Sequence, residues 1–214
     1  AELIDAFVAD SAGVPRRLAR AVGLYERDGG LAWRHTDYLT GRALTQRRQQ
    51  LVLASVVTAA NYDYSVNWIF DTDGSIELEI LLSGILQVQT IRAAHDVEHA
   101  PIGHGVAAGL SGVHHQHFFS IRLDVDVDGP SCNGLIEVEA APPGRASAAS
   151  QALSITNRTI KTEGPLTSNS AGGRRWRIVN WSVRNALGEP AGYTLLPGEG
   201  SVPQTRPDAS IRKR

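Results

Sequence analysis

Two short motifs contain residues whose types and spacing suit chemistry. Asn61-Tyr62-Asp63-Tyr64 places an oxidisable phenol between an amide and a carboxylate, and His115-Gln116-His117 places two imidazoles two positions apart. On a β-strand such residues point to the same face, roughly 7 Å apart. Both rings can then bind one metal ion, and imidazole suits copper, zinc, iron or nickel. A tyrosine beside that metal would be a ligand, a radical site or a precursor to be oxidised.

The residues alone leave other interpretations open for both motifs. Tyr62 also fits a strand tyrosine packed in a core, and the histidines also fit a solvated surface. His114 and His117, three positions apart, do not share a strand face. A zinc hydrolase of the His-x-His type is a further alternative, but such sites usually have another Asp or His close behind the pair. Asp124 is a poor match for that position.

Charge and composition exclude several classes of partner. The 214 residues carry 21 Lys and Arg against 22 Asp and Glu, a formal net charge of −1. No overall field therefore favours nucleic acid or an anionic membrane surface. The sequence contains no stretch of about 18 apolar residues, so no transmembrane helix is predicted. No signal peptide is evident. The single Cys132 allows no internal disulfide and lies in 129–134, which is typical of a turn.

Apolar and polar residues alternate with a period of two through much of the chain, which predicts half-buried antiparallel strands. The predicted strands, including the two that flank the tyrosine motif, are 47–58, 62–70, 75–80, 119–128 and 136–139.

Other segments lack this alternation. Residues 4–8 and 16–21 are the candidates for helix, and 93–112 and 141–150 are expected to be loops. The many short strands with turn signals between them predict a mainly β fold, an antiparallel β-sandwich.

The sequence around both motifs resembles the copper-containing primary amine oxidases. Asn61-Tyr62-Asp63-Tyr64 matches that family's Asn-Tyr-Asp/Glu-Tyr motif, preceded by Thr58 and the apolar triplet 51–53, and His115-Gln116-His117 matches its His-x-His pair. Three further stretches are similar and fall in the family's order: 30–35 upstream of both motifs, and 122–129 and 181–185 downstream of them. We therefore interpret 1–214 as part of an amine oxidase catalytic domain of β-sandwich type, in which 1–21 match poorly.

The resemblance implies a role for the residues of the two motifs. The family oxidises the first tyrosine of its motif to the cofactor topaquinone, and Tyr62 matches that position. The family's copper-binding pair corresponds to His115 and His117. Asn61 and Asp63 flank the quinone position, where their side chains would restrain its orientation. A quinone carbonyl is an electrophile that tyrosine lacks, and it reacts with primary amines.

The resemblance also implies that parts of the active site lie outside this sequence. The family's third copper-binding histidine belongs to a motif far downstream, and no histidine follows His117. The base that removes the α-proton of the amine is an aspartate in an upstream glycine-rich motif, and neither Asp5 nor Asp10 has matching surroundings. We expect the segment alone to be inactive. Three other histidines are expected to be solvated in a polar loop: His95, His99 and His104.

A second metal site is implied by the family stretch that matches Asp124, the carbonyl of Val125, and Asp126. Two carboxylates on one strand face repel each other unless a cation neutralises them. Oxygen ligands of this kind suit calcium or manganese. The alternative is a solvent-facing acidic strand.

The expected function is a copper- and topaquinone-dependent primary-amine oxidase. It would convert R-CH2-NH2, dioxygen and water to an aldehyde, ammonia and hydrogen peroxide. Its expected partners are a small primary amine and O2, with neither nucleic acid nor membrane, and the full-length form is expected to be a homodimer. The alternative is a non-catalytic β-sandwich domain for binding or assembly that has lost the site.

Overall fold

The computed structural model describes residues 1–91, 103–142, 153–198, 200 and 202–210. The chain divides into two compact units, Ala1–His115 and Gln116–Arg214. Within the described residues the elements are β-strands in antiparallel pairs, so the prediction of a mainly β, antiparallel fold is confirmed. Within the ranges described, there is no helix with the length and apolar character needed to cross a bilayer.

The first unit contains a five-stranded sheet and a three-stranded sheet. The larger sheet comprises β1 (Glu2–Ala9), β2 (Pro15–Thr36), β3 (Ala43–Ala59), β4 (Tyr62–Asp71) and β5 (Ile76–Gly84), paired in chain order. The smaller sheet comprises β6 (Val88–Thr90), β7 (Gly103–Ala107) and β8 (Leu110–Val113), with β8 in the centre. Because every strand of the larger sheet pairs with its neighbour in sequence, short connections are enough to define its topology.

The hairpin of β3 and β4 forms the centre of the larger sheet. Its register runs from Ala59 opposite Tyr62 to Gln50 opposite Asp71, which confirms the two strands predicted around the tyrosine motif. Val52 and Ile69 pair directly and are 0% and 1% exposed. By the alternation of side chains along β4, Tyr62 lies on the opposite face from Ile69.

The second unit contains a four-stranded sheet with the order β10-β9-β11-β12, formed by β9 (Asn133–Ala141), β10 (Ser154–Ile160), β11 (Arg175–Arg184) and β12 (Pro190–Leu195). The predicted strand 136–139 lies within β9, but its acidic residues do not simply face solvent. Glu137 is 5% exposed and accepts hydrogen bonds from Arg158 at 2.9 and 3.1 Å. An acidic residue in the alternating pattern of β9 is therefore explained by an ion pair with the neighbouring strand on one face of the sheet.

The helices considered for 4–8 and 16–21 were wrong, because both segments are strands. They lie in β1 and β2 and pair with each other. The register shifts between Ile4 and Ala6, so that residues 19–21 lie opposite Asp5 alone, and Arg20 has a φ of 55°. Such a bulge interrupts the period of two, which explains why the sequence did not show a strand there.

Two further predictions need correction. The segment 119–128 is not a strand, because none of the strands described pairs with it; alternation indicates two different faces but does not supply a hydrogen-bonded neighbour. The predicted loop 93–112 contains β7 and part of β8, so His104 lies on a strand. His95 and His99, like residues 143–150 of the other predicted loop, lie outside the described residues.

Candidate functional site

Tyr62 is the first residue of β4, directly after a tight hairpin turn. The pair Ala59 and Tyr62 closes the turn around Ala60 and Asn61. Ala60 has a φ of 55°, a left-handed conformation that residues other than Gly, Asn and Asp seldom adopt. The turn therefore places Tyr62 at one end of the sheet, half-buried, with local strain at Ala60, two residues before it.

Gly84 at the end of β5 allows close approach to the Tyr62 backbone. The two residues are register partners, and the N–H of Ile85 donates to the carbonyl of Asn61 at 2.7 Å. A Cβ at position 84 would lie 2.6 Å from Cα of Tyr62 and 3.0 Å from the nitrogen of Asp63, and the φ of Gly84 is 115°. Both the space and the backbone conformation therefore require glycine here.

The hydroxyl of Tyr62 lies 2.9 Å from Nε2 of His115. The two ring centroids are 5.5 Å apart, and the ring planes are inclined at 43°. On the other side of the imidazole, Nδ1 lies 2.7 Å from the carbonyl oxygen of Val113. A carbonyl only accepts, so Nδ1 carries the proton; in the neutral imidazole Nε2 is then the acceptor for the tyrosine hydroxyl.

Gln87 connects the tyrosine to the strand that precedes His115. Its main-chain N–H donates to the hydroxyl oxygen of Tyr62 at 3.2 Å, and its carbonyl accepts from the N–H of Val113 at 3.3 Å. Together with the two bonds of His115, these contacts form a closed ring of hydrogen bonds. The ring passes through Tyr62, His115, Val113 and Gln87, all of which belong to the first unit.

The residues that flank Tyr62 stabilise the hairpin. Nδ2 of Asn61 donates to Oε1 of Gln87 at 2.8 Å. The hydroxyl of Thr58 donates to Oδ1 of Asp63 at 2.7 Å across the strand pair, which accounts for a threonine in the motif. Tyr64 shares the face of Tyr62, with ring centroids 6.5 Å apart. Orientation of a quinone by Asn61 and Asp63 stays a prediction.

The second histidine of the motif, His117, belongs to the second unit, where it is half-buried. Asp124 and Asp126 are exposed in that unit, and Val125 is half-buried. Over the ranges that the structure describes, no group of three or more His, Cys, Asp or Glu side chains is arranged to hold a metal ion. The assignment of these residues as copper and calcium ligands also stays a prediction.

The chemistry of His115 nevertheless fits a metal ligand. Protein histidines that bind metals usually donate the other ring N–H to a carbonyl or carboxylate, which fixes the tautomer and the ring orientation. The bond from Nδ1 to Val113 does this and leaves the lone pair of Nε2 directed at Tyr62. An imidazole nitrogen and a phenol oxygen are donors that copper accepts.

A separate polar network occupies the far end of β4. Asp71 pairs with Arg48 and accepts from Nε2 of Gln50 at 3.0 Å. The hydrogen bond from Gln50, followed by the bond and charge of Arg48, holds the pKa of Asp71 below its ordinary value. The Asp71 side chain is only 5% exposed, so this network stabilises the strand that begins with Tyr62.

Three residues of the site were not predicted from the sequence: Gly84, Gln87 and Val113. Gly84 had a usable signal, because an isolated glycine at the end of a strand pattern often marks close approach of another backbone. Gln87 and Val113 act chiefly through main-chain atoms, which any residue type provides, so their side chains gave no indication.

The comparisons with known proteins identify the family. The profile described as "Copper amine oxidase, enzyme domain" matches residues 1–214. The chain belongs to this copper amine oxidase family, as the two motifs indicated, and the prediction of an incomplete catalytic domain of this type is confirmed.

Curated relatives are similar over nearly the whole chain. It is 32% identical to the primary amine oxidase of Arthrobacter sp. (strain P1) over 98% of its length and 32% of that protein. It is 34% identical to the histamine oxidase of Arthrobacter globiformis, over 97% of this chain and 30% of that protein. The chain thus spans about a third of the length of the relatives it matches.

Solved structures show the same fold. A copper-containing benzylamine oxidase from Hansenula polymorpha superposes with a TM-score of 0.84 at 24% identity, over 97% of this chain and 33% of that one. The Aspergillus nidulans amine oxidase superposes with a TM-score of 0.69 at 22% identity, over 92% and 27% of the two chains.

Proposed function

We propose that the protein is a primary-amine oxidase that uses copper and a topaquinone formed from Tyr62. The reaction converts R-CH2-NH2, O2 and water to an aldehyde, ammonia and hydrogen peroxide. The observation that carries the proposal is the 2.9 Å contact between the Tyr62 hydroxyl and Nε2 of His115, because it places an oxidisable phenol against a candidate copper ligand. Membership of the copper amine oxidase family supports it.

Each residue has a definite part in this proposal. His115 and His117 supply imidazole ligands to copper, and the carbonyl of Val113 keeps the proton of His115 on Nδ1. Bound copper would supply, with dioxygen, the oxidation of the Tyr62 ring, and the resulting quinone would supply an electrophilic carbonyl toward the amine. Asn61, Asp63 and the hairpin hold the backbone of Tyr62 in place. We assign no third ligand and no α-proton base to this chain.

A cation site at Asp124, the Val125 carbonyl and Asp126 is a further part of the proposal. Both carboxylates are exposed, so a calcium or manganese ion can reach them without a change of fold.

Assembly of the whole protein as a homodimer is proposed as well. Phe119, Ile121 and Leu123 are 43%, 52% and 45% exposed, an apolar row that a further protein surface would cover.

The cofactor is tested by mass mapping after treatment with a hydrazine reagent. The full-length protein, copper-loaded and aerated, should carry the adduct on the peptide that contains Tyr62, and its Tyr62→Phe variant should carry none because the phenol oxygen is missing. Tyr25→Phe, on β2, is the matched control and should leave the adduct unchanged. An unmodified Tyr62 after copper loading in air would overturn the proposal.

A further inference from the structure

Gln87 makes hydrogen bonds with three of its polar groups at the tyrosine site. Its N–H donates to the Tyr62 hydroxyl at 3.2 Å, its side-chain oxygen accepts from Asn61 at 2.8 Å, and its carbonyl accepts from Val113 at 3.3 Å. It stands just before β6, so these bonds connect the smaller sheet to the hairpin of the larger one.

The bonds to Tyr62 restrict one motion of the ring and leave another free. Rotation about the Cα–Cβ bond would carry the phenol oxygen away from both Gln87 and His115. Rotation about the Cβ–Cγ bond leaves that oxygen on its axis and breaks neither bond. The two contacts therefore define the tilt of the ring, and the bond from Asn61 to Gln87 holds the preceding residue.

We propose that Gln87 is a positioning residue for the Tyr62 ring, which it orients through its main-chain N–H on the phenol oxygen and its side-chain oxygen on Asn61. The purpose of this orientation rests on the function proposed above. Under that function the ring would lie beside a metal ion while it is oxidised and would be held in one arrangement afterwards, and a pre-formed orientation of the ring would make both steps more efficient. Gln87 acts through Tyr62 and Asn61.

Amide hydrogen exchange of the metal-free protein tests the geometry without any cofactor. The Gln87 N–H should be protected in the parent, and Tyr62→Phe should lower that protection about three- to tenfold, the range expected for the loss of one hydrogen bond. The Ile85 N–H, which donates to the Asn61 carbonyl, is the internal control and should keep its protection. Equal protection of Gln87 in parent and Tyr62→Phe would overturn the assignment.

Two side-chain variants test whether the Gln87 side chain affects formation of the quinone. Gln87→Leu removes the acceptor for Asn61 and keeps the N–H, whereas Gln87→Glu keeps an acceptor oxygen. In the full-length protein with copper and air, we expect Gln87→Leu to form the quinone about tenfold more slowly than the parent and with a broadened absorption band, and Gln87→Glu to stay within about twofold of the parent. Equal rates and identical bands in parent and Gln87→Leu would refute the positioning role.

The two proposals fail in distinguishable ways. A parent that forms no quinone contradicts the proposed function, whereas the exchange of the Gln87 amide still decides whether this residue holds the tyrosine. A general loss of stability in a variant would lower the protection of Ile85 together with that of Gln87, so it cannot be mistaken for a local effect.

Discussion

The phenol oxygen of Tyr62 and Nε2 of His115 meet at 2.9 Å from two different sheets. Tyr62 begins β4 of the larger sheet, and His115 follows β8 of the smaller sheet. Their contact therefore depends on the packing of the two sheets of the first unit, which Gln87 connects by hydrogen bonds to both. A change in this packing would alter the distance between the candidate ligand and the residue proposed to be oxidised.

Copper binding should require the imidazoles of His115 and His117. Mutation of a residue that only hydrogen-bonds to a metal ligand typically lowers metal affinity 10- to 100-fold. Removal of the ligands themselves should cost at least as much, so the His115→Ala/His117→Ala variant should bind Cu(II) at least about a hundredfold more weakly. Isothermal titration calorimetry measures the affinity for Cu(II). His104→Ala, on β7 and exposed, is the control and should bind as the parent does. Parent-like affinity in the double variant would show that the ligands lie elsewhere.

Gly84→Ala should lower the free energy of unfolding by about 2–3 kcal/mol. Its Cβ would approach the Tyr62 backbone too closely, and its φ of 115° disfavours any side chain. Gly74→Ala is the matched control, since Gly74 also has a positive φ, of 86°, but has open space around it; a cost of about 1 kcal/mol is expected there. Urea denaturation compares them, and equal costs would contradict the close-contact argument.

The sequence predicted those parts of the site that depend on local patterns. β3 and β4 show a period of two, and both motifs have distinctive residue types, so the hairpin and its tyrosine could be recognised. The contact between Tyr62 and His115 could not, because it depends on how two sheets pack. The segment 119–128 shows the converse, since its alternation is clear but it lacks a partner strand in the part of the chain that the structure describes.

Calcium should raise the thermal midpoint through Asp124 and Asp126. A ligand that binds only the folded state at about a hundred times its dissociation constant contributes about 2.7 kcal/mol, which for a chain of this size corresponds to roughly 5–10 °C. The Asp124→Asn/Asp126→Asn variant should lose the response when measured by calorimetry with and without calcium. Asp208→Asn is the control and should keep it. An unchanged calcium shift in the double variant would place the site elsewhere.

Ala60→Gly should stabilise the protein by about 0.5–1 kcal/mol. The φ of 55° at Ala60 costs an L-residue about 1–2 kcal/mol, and the greater freedom of glycine in the unfolded chain offsets about 0.5–1 kcal/mol of the gain. Ala59→Gly, one residue earlier and within β3, is the control and should destabilise. Equilibrium denaturation in urea gives both values, and a loss of stability in Ala60→Gly would contradict the strain.

Asp71 should make stability depend on pH at the acid end. Its pKa in the folded protein is lowered, chiefly by the hydrogen bond from Gln50 and then by Arg48. The stabilisation is therefore fully present above the unfolded value of about 3.9 and is lost as the pH falls through the lower folded pKa. The difference in thermal midpoint between parent and Asp71→Asn should be constant above about pH 5 and shrink below pH 4. Gln50→Leu removes the largest cause of the lowered pKa of Asp71, so the acid transition of this variant should lie at a higher pH than that of the parent. A difference between parent and Asp71→Asn that stays constant down to pH 2 would contradict a charged Asp71 as the stabilising form.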